Sequence, residues 1–290
     1  MSTKHTPTFK AFQNKHNLSY SNFFTFTNPK VLKNDKINFI PTAVLMLYNT
    51  PKACPAAGSC RSVCLMTAGN PAYLNNKIKC RIRRNNAFMS DYSIFLRYLV
   101  VNCFRHYFKH RYADKVAFRL NGVSDYAFED ISVKLTAEDT DYIKKAFNIY
   151  IEPIRYGSVI EAVQKAIDLN NNELIRNSVQ FYDYTKRIDR NFDKCKNELN
   201  YHLTLSHGSK YDTFSKALEL GLNYAAAFNL KKSADLPSEF TYKGKKLTVT
   251  DGDITDARFT DCNKVTKIIG LRFKIVVNKD NQNKLAFCIA

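Results

Sequence analysis

The sequence predicts an α/β protein built on a parallel sheet with right-handed crossovers. Two observations carry this reading. Short apolar runs of strand character alternate with stretches of helical period from about residue 39 onward, the pattern that βαβ units produce. Each polar cluster able to do chemistry also falls just after a predicted strand. Ligands gather there whether such a sheet stays open or curls into a complete or partial barrel. Composition agrees: the 290 residues are 45% hydrophobic and 24% charged, which is globular rather than disordered. With 9 Gly and 8 Pro, collagen-like and low-complexity chains are excluded.

Residues 1–36 are polar and basic, with Phe9, Phe12, Phe23 and Phe24 interleaved. They read as a basic N-terminal arm that packs through those rings. Residues 37–290 read as one α/β domain. Its first strand lies in the apolar run Phe39 to Tyr48. A cysteine loop at 50–70 follows, punctuated by Pro51, Pro55, Gly58, Gly69 and Pro71. Phe88, Tyr92, Phe95, Leu96 and Leu99 then recur at three- and four-residue spacing, which predicts a helix over about 77–110.

The next strand is Lys115 to Leu120, ending in Asn121-Gly122-Val123-Ser124-Asp125. Helices are expected at about 138–147 and 158–176, then a strand at Ser178 to Tyr184. A helix at about 191–199 leads to the strand Tyr201 to Ser206. The helix at about 211–220 ends at Gly221, a residue suited to a helix C-cap. A strand at Asn223 to Phe228 follows, then Lys246 to Thr250 with Asp251-Gly252-Asp253, and a last strand near Lys267 to Val277.

The formal net charge is +18. Such a surplus calls for an anionic partner, nucleic acid first among them. The abundance of Lys and Asn offers a plainer source, compositional drift. No run approaches the ~18 apolar residues of a membrane span, so no membrane partner is expected. Met1 to Tyr20 holds no apolar core of a secretory signal.

Five of the 8 cysteines (Cys80, Cys103, Cys195, Cys262 and Cys288) are scattered, and buried inert thiols are the default for them. Cys54, Cys60 and Cys64 instead form a C-x5-C-x3-C run. On one helical turn, Cys60 and Cys64 would stand about 6 Å apart along the axis. Thiolates so placed select zinc or iron–sulfur. A structural zinc site usually pairs its cysteines as C-x2-C and wants four ligands. Three cysteines after a first strand fit a 4Fe–4S cluster better, with zinc and no metal at all as the alternatives. The fourth position would fall to Cys80, to His207, or to a small-molecule ligand at an open iron.

The other polar clusters have plain readings beside functional ones. Asp125 could hold a ligand or close its turn. Tyr182, Tyr184 and Lys186 share one face of their strand, and Lys186 could meet phosphate or carboxylate. His207 could carry a proton or be a satisfied loop histidine. Asp251, Asp253 and Asp256 resemble a cation loop without the spacing that completes one, so turn residues and an Arg258 ion pair are the alternative. Arg81, Arg83 and Arg84 could line a nucleotide approach or lie on an exposed helix face.

Five ordered blocks carry a family resemblance. They are CPAAGSCRSVCLMTAG (54–69), FRLNGVSDY (118–126), VQFYDYTKR (179–187), NYHLTLSHGS (200–209) and VTDGDITDARFTD (249–261), the last followed by IIGLRFK (268–274). Together they resemble the gene product 88 family of phage and prophage proteins. The resemblance covers about residues 38–275 and leaves the arm out. That family in turn resembles the radical S-adenosylmethionine enzymes: strand, three-cysteine loop, alternating helices and strands. LTLSHGS followed by a helix to Gly221 is similar to the strand–S-x-D-G–helix–G portion of their barrel. Asn121 to Asp125 stands where they contact the methionine part of the cofactor. Two departures stand out. Those enzymes show C-x3-C-x2-C, and their Gly-Gly-Glu contact is missing here.

The resemblance implies a partial (β/α) barrel like the radical S-adenosylmethionine core. It implies a 4Fe–4S cluster on Cys54, Cys60 and Cys64, S-adenosylmethionine as a further candidate cofactor, and a location in the cytoplasm of the infected bacterial host. Asn121, Ser124, Asp125, Tyr184, Lys186, Ser206, Asp251 and Asp253 are the ligand-binding candidates on the same rim. As an enzyme the protein would pass an electron from cluster to cofactor. Otherwise it would store electrons, sense redox state or bind nucleic acid. A zinc-stabilised nucleic-acid-binding phage protein is the separate alternative.

Overall fold

The computed structural model describes residues 6–26, 29–67, 73–110, 112–170, 178–261, 265–273 and 287–289. The end of the cysteine loop at 68–70, Cys262, the end of the predicted helix at 171–176 and the end of the predicted last strand at 274–277 lie outside them.

The strands are β1 (Phe24–Thr25), β2 (Thr42–Leu45), β3 (Lys115–Arg119), β4 (Val133–Lys134), β5 (Arg155–Tyr156) and β6 (Ser178–Thr185). They continue as β7 (Tyr201–Ser206), β8 (Tyr224–Phe228), β9 (Glu239–Tyr242), β10 (Lys245–Asp251) and β11 (Ile268–Arg272). Nine of them form one sheet in the order β1-β2-β3-β6-β7-β8-β11-β10-β9. From β2 to β10 every neighbouring pair is parallel. Only the edges, β1 on β2 and β9 on β10, are antiparallel. The sheet is therefore large, mostly parallel and not closed into a barrel. β4 and β5 pair separately.

Helices fill the crossovers: α4 (Leu74–Ser90) and α5 (Tyr92–Lys109) between β2 and β3, then α6 (Ala137–Phe147) and α7 (Val159–Leu169) before β6. α8 (Phe192–Asn197) and α9 (Thr213–Glu219) serve the next two connections. Ahead of them lie α1 (Pro7–His16), α2 (Tyr20–Phe23) and α3 (Pro29–Asn38). The alternation of strand residues decides which face each side chain meets. Leu45, Phe118, Phe181 and Leu203 join α5 and α7 in the main apolar core. Ala117 and Tyr182, one residue out of phase, pack instead with Ile40, Ala257 and Phe259.

Three findings depart from the sequence reading. The single helix expected over 77–110 is broken at Asp91, which has non-helical backbone angles (φ −128°, ψ 49°). Its carboxylate turns to Lys15 at 2.8 Å and to His16 at the end of α1, and aspartate is in any case a weak helix-interior residue. The segment read as an arm builds into the body of the fold. Phe9, Phe12 and Phe23 put their rings 5.0–5.6 Å from that of Tyr98 on α5, and β1 extends the sheet. The β9–β10 hairpin also went unread. Its turn has positive φ at Lys243 (47°) and Gly244 (75°), and the lysine hides the usual Asn-Gly signal.

Candidate functional site

The cysteine loop leaves the C-terminal end of β2 and is pinned at two places. Gly208, just past β7, accepts backbone hydrogen bonds from Gly58 (2.9 Å) and Cys60 (3.2 Å), and Lys210 donates back to Ala56 (3.1 Å). Glycine is required on both sides of this contact. A Cβ on Gly58 would lie 2.6 Å from the Ser209–Lys210 backbone, and one on Gly208 (φ +85°) 2.9 Å from Cys60 Cβ. On the other flank, the Asp125 amide donates to Ala53 at 2.7 Å. The loop is thus sewn to the turns after β3 and β7.

This places Cys54, Cys60 and Cys64 in the wall of a cleft of about 2120 Å³ at the C-terminal ends of the parallel strands. Cys80, from α4, lines it too, as do His207, Asn121, Ser124, Asp125, Tyr184, Lys186, Ser206, Asp251 and Asp253. Residues scattered over some 200 positions meet at one rim, as parallel-sheet topology requires.

Cys54 is the most perturbed of the three thiols. Burial pushes Cys54 up to about 12, Asp125, Cys64 and Cys60 push the same way, and Lys186 opposes them. Cys54 Sγ faces the Val123 carbonyl at 3.6 Å. Cys64 Sγ accepts from Asn49 Nδ2 at 3.1 Å and the Met66 amide at 3.5 Å. Among the described residues, no three His, Cys, Asp or Glu side chains converge as the ligands of a single metal ion.

Several candidates use their polar atoms within the wall. Asn121 Nδ2 donates to Asp183 (3.1 Å), and its Oδ1 accepts from Ser124 Oγ (2.9 Å) and the Tyr126 amide (2.8 Å). Asp125 accepts from Thr185 Oγ1 and the Lys186 amide, each at 2.8 Å, and from Arg190 at 3.3 Å. Behind them Arg190 meets Glu129 Oε2 at 2.6 Å, and Tyr201 donates to Asp183 at 2.6 Å. This buried network holds the Asn121–Asp125 turn rigid.

Lys186 Nζ donates to Ser206 Oγ at 2.8 Å and keeps further N–H donors. His207 Nδ1 shares a hydrogen bond with the Tyr224 hydroxyl at 2.8 Å. Burial, then Lys186 and Lys243, bring His207 down to about 4, so the ring is neutral near neutral pH. Asp251 and Asp253 pair with Arg272 at 2.9 and 3.4 Å, not with Arg258, which pairs with Asp261 at 3.3 Å. Asp256 leaves the acidic loop altogether. It takes Arg119 at 2.8 Å and Tyr182 at 3.2 Å, on the face of the sheet where Asn34 of α3 bonds Tyr182 and the Asp256 amide.

Sequence reasoning missed the role of Arg119, and it left Arg81 and Arg84 open. Both of the latter are buried in the cleft wall. Arg81 donates to the Met66 carbonyl at 2.7 Å; Arg84 donates to those of Asn22 (2.8 Å) and Met46 (3.2 Å). Their three-residue spacing on α4 was the available signal.

The profile of the gene product 88 family matches residues 13–289. The chain belongs to the gene product 88 family. The gene product 88 match begins within α1, so the segment read as an arm outside the family is largely part of it. Every cleft residue named above falls inside the matched span. No curated protein and no solved structure matches the chain. Among the described residues, no helix is long and apolar enough to cross a membrane.

Proposed function

We propose that this chain is a phage-type iron–sulfur protein in which Cys54, Cys60 and Cys64 hold a 4Fe–4S cluster in the rim cleft. One observation carries the reading: three thiols from one pinned loop line a single cleft. The donor set suits the group, because cluster irons are held by cysteine thiolates. A cluster spreads its ligands over several irons, so the thiols need not converge on one point as they would for a single zinc ion. Bound there, the cluster would supply single-electron chemistry. The chain's own part is to hold the loop at its two pins and keep the Asn121–Asp125 turn rigid.

The unbroken progression β2-β3-β6-β7-β8 supports reading the sheet as a partial barrel of the radical S-adenosylmethionine kind. An iron left open by the three-cysteine set would be the place for S-adenosylmethionine or another small molecule. Cys80 and His207 are the chain's own candidates for that position, and both line the cleft. The family and the absence of a membrane-spanning helix among the described residues support a place in the cytoplasm of the infected bacterial host.

The test is anaerobic purification with iron, sulfide and zinc analysis. A brown protein absorbing near ~400 nm is expected from thiolate-bound iron–sulfur. A colourless protein holding zinc would overturn the reading in favour of the zinc-stabilised nucleic-acid binder.

A further inference from the structure

Charge in the cleft is out of balance. Among the described residues that line it, ten are Lys or Arg and four are Asp. Ionising all four lining cysteines would still leave cations in excess. Two of these cations are also costly where they stand. Arg81 is 8% exposed and Arg84 5%, and among the described residues neither guanidinium meets a carboxylate. Backbone carbonyls take some of their N–H groups. A buried cation without a counter-charge is unfavourable until an anion arrives, and paired guanidiniums match phosphate oxygens geometrically.

The same stretch of chain offers an aromatic face. Tyr73, immediately before α4, lines the cleft and is 60% exposed. Lys77 stands on the next turn, also in the lining. An exposed ring beside cations is the arrangement on which nucleobases stack. At about 2120 Å³ the cleft also exceeds the roughly 300–1,000 Å³ of a single small-molecule pocket, leaving room for a substrate beside a cofactor.

We propose that the cleft takes a nucleotide, its phosphate held by Arg81 and Arg84 and its base stacked on Tyr73. The inference rests on the reading of this cleft as the functional site. The phosphate belongs either to a free mononucleotide or to the end of a strand.

Calorimetric titration decides it, on iron-loaded and on iron-free protein, at low salt. The probes are nucleoside monophosphates, the matching nucleosides, inorganic phosphate and a 5′-phosphorylated oligonucleotide with its unphosphorylated twin. Nucleotides bind more tightly than nucleosides, and binding weakens with salt. Arg81→Gln, Arg84→Gln and Tyr73→Ala each lose at least about tenfold in affinity, whereas Lys165→Gln on α7, paired with Glu161, binds as wild type. Tighter binding of the phosphorylated oligonucleotide than of either its twin or the mononucleotide assigns a strand end. Thermal melting of each variant separates lost binding from lost fold. A variant that does not fold is replaced by Arg81→Lys, which keeps the charge and loses the fork, and weaker nucleotide binding is again expected.

Equal binding of nucleoside and nucleotide, full affinity in the folded variants, or a loaded protein that binds no phosphate ester would overturn the proposal. Arg81-dependent nucleotide binding in a protein that never assembles iron–sulfur would instead leave it standing and overturn the cluster.

Discussion

Gly208→Ala separates a pinned cysteine loop from a loosely tethered one. Gly208 has φ +85°, where any L-residue is strained. The backbone cost of a Cβ there is about 1–2 kcal/mol. The new Cβ would stand 2.6 Å from Phe287 Cε2, 2.9 Å from Cys60 Cβ and 3.0 Å from the Cys60 amide nitrogen. The Phe287 ring can rotate away; the Cys60 backbone cannot. Relief requires the loop to move, which endangers the hydrogen bonds from Gly58 and Cys60 to the Gly208 carbonyl, each contributing about 0.5–1.5 kcal/mol. The expected loss is about 2–5 kcal/mol in urea unfolding, with iron retention reduced alongside it. Gly221→Ala is the control. Its φ is +63°, but nothing lies within 4 Å of the new Cβ, so only the backbone cost of about 1–2 kcal/mol applies and iron retention stays at the wild-type level. Equal losses of stability and iron in the two variants would refute the pin.

The remaining predictions concern the core, the network behind the cleft and the fourth iron. His106 is held neutral by burial, down to about 3, with its neighbours His110 and Lys109 adding to the effect. The unfolded chain takes up a proton near pH ~6.5 that the folded one refuses, so stability falls as pH drops below that value. The slope is about 1.4 kcal/mol per pH unit, or about 3 kcal/mol by pH ~4.5. Urea unfolding of wild type and His106→Gln across this range checks it, and identical slopes would contradict it. Arg190→Met strands the buried carboxylates of Glu129 and Asp125 and should cost about 3–5 kcal/mol; a change below ~1 kcal/mol would show that the network is not holding the rim. Cys80→Ser should retain iron if the fourth position is open, and S-adenosylmethionine should then perturb the cluster's absorbance. Complete iron loss would make Cys80 the fourth ligand and close the site.

The parallel core was legible because each of its strands is a short apolar run followed by a turn. Tyr201–Ser206 was read to the residue, and Lys115–Arg119 to within one. The rim was legible for the same reason, since topology brings strand ends together whatever their spacing in sequence. What stayed hidden depended on partners distant in the chain. Nothing local says that Asp91 will turn toward Lys15 and His16 and end a helix. Nor does it show that Asp256 will leave its acidic neighbours for Arg119, or that Arg272 will claim Asp251 and Asp253 in place of Arg258. The first 36 residues read as an arm because Ser, Thr, Asn and Lys outnumber their apolar residues. Four phenylalanines sufficed to bury part of the segment in the core.

The central claim stands or falls on iron and acid-labile sulfide per chain, measured anaerobically on wild type and on single alanine variants. The account predicts up to about four of each in wild type, with absorbance near ~400 nm. It predicts near-complete loss of both in Cys54→Ala, Cys60→Ala and Cys64→Ala, because a three-thiolate site cannot lose a ligand and stay occupied, and wild-type content in Cys288→Ala. Absence of sulfide from wild type, or loss of iron in Cys288→Ala as complete as in Cys60→Ala, would contradict it.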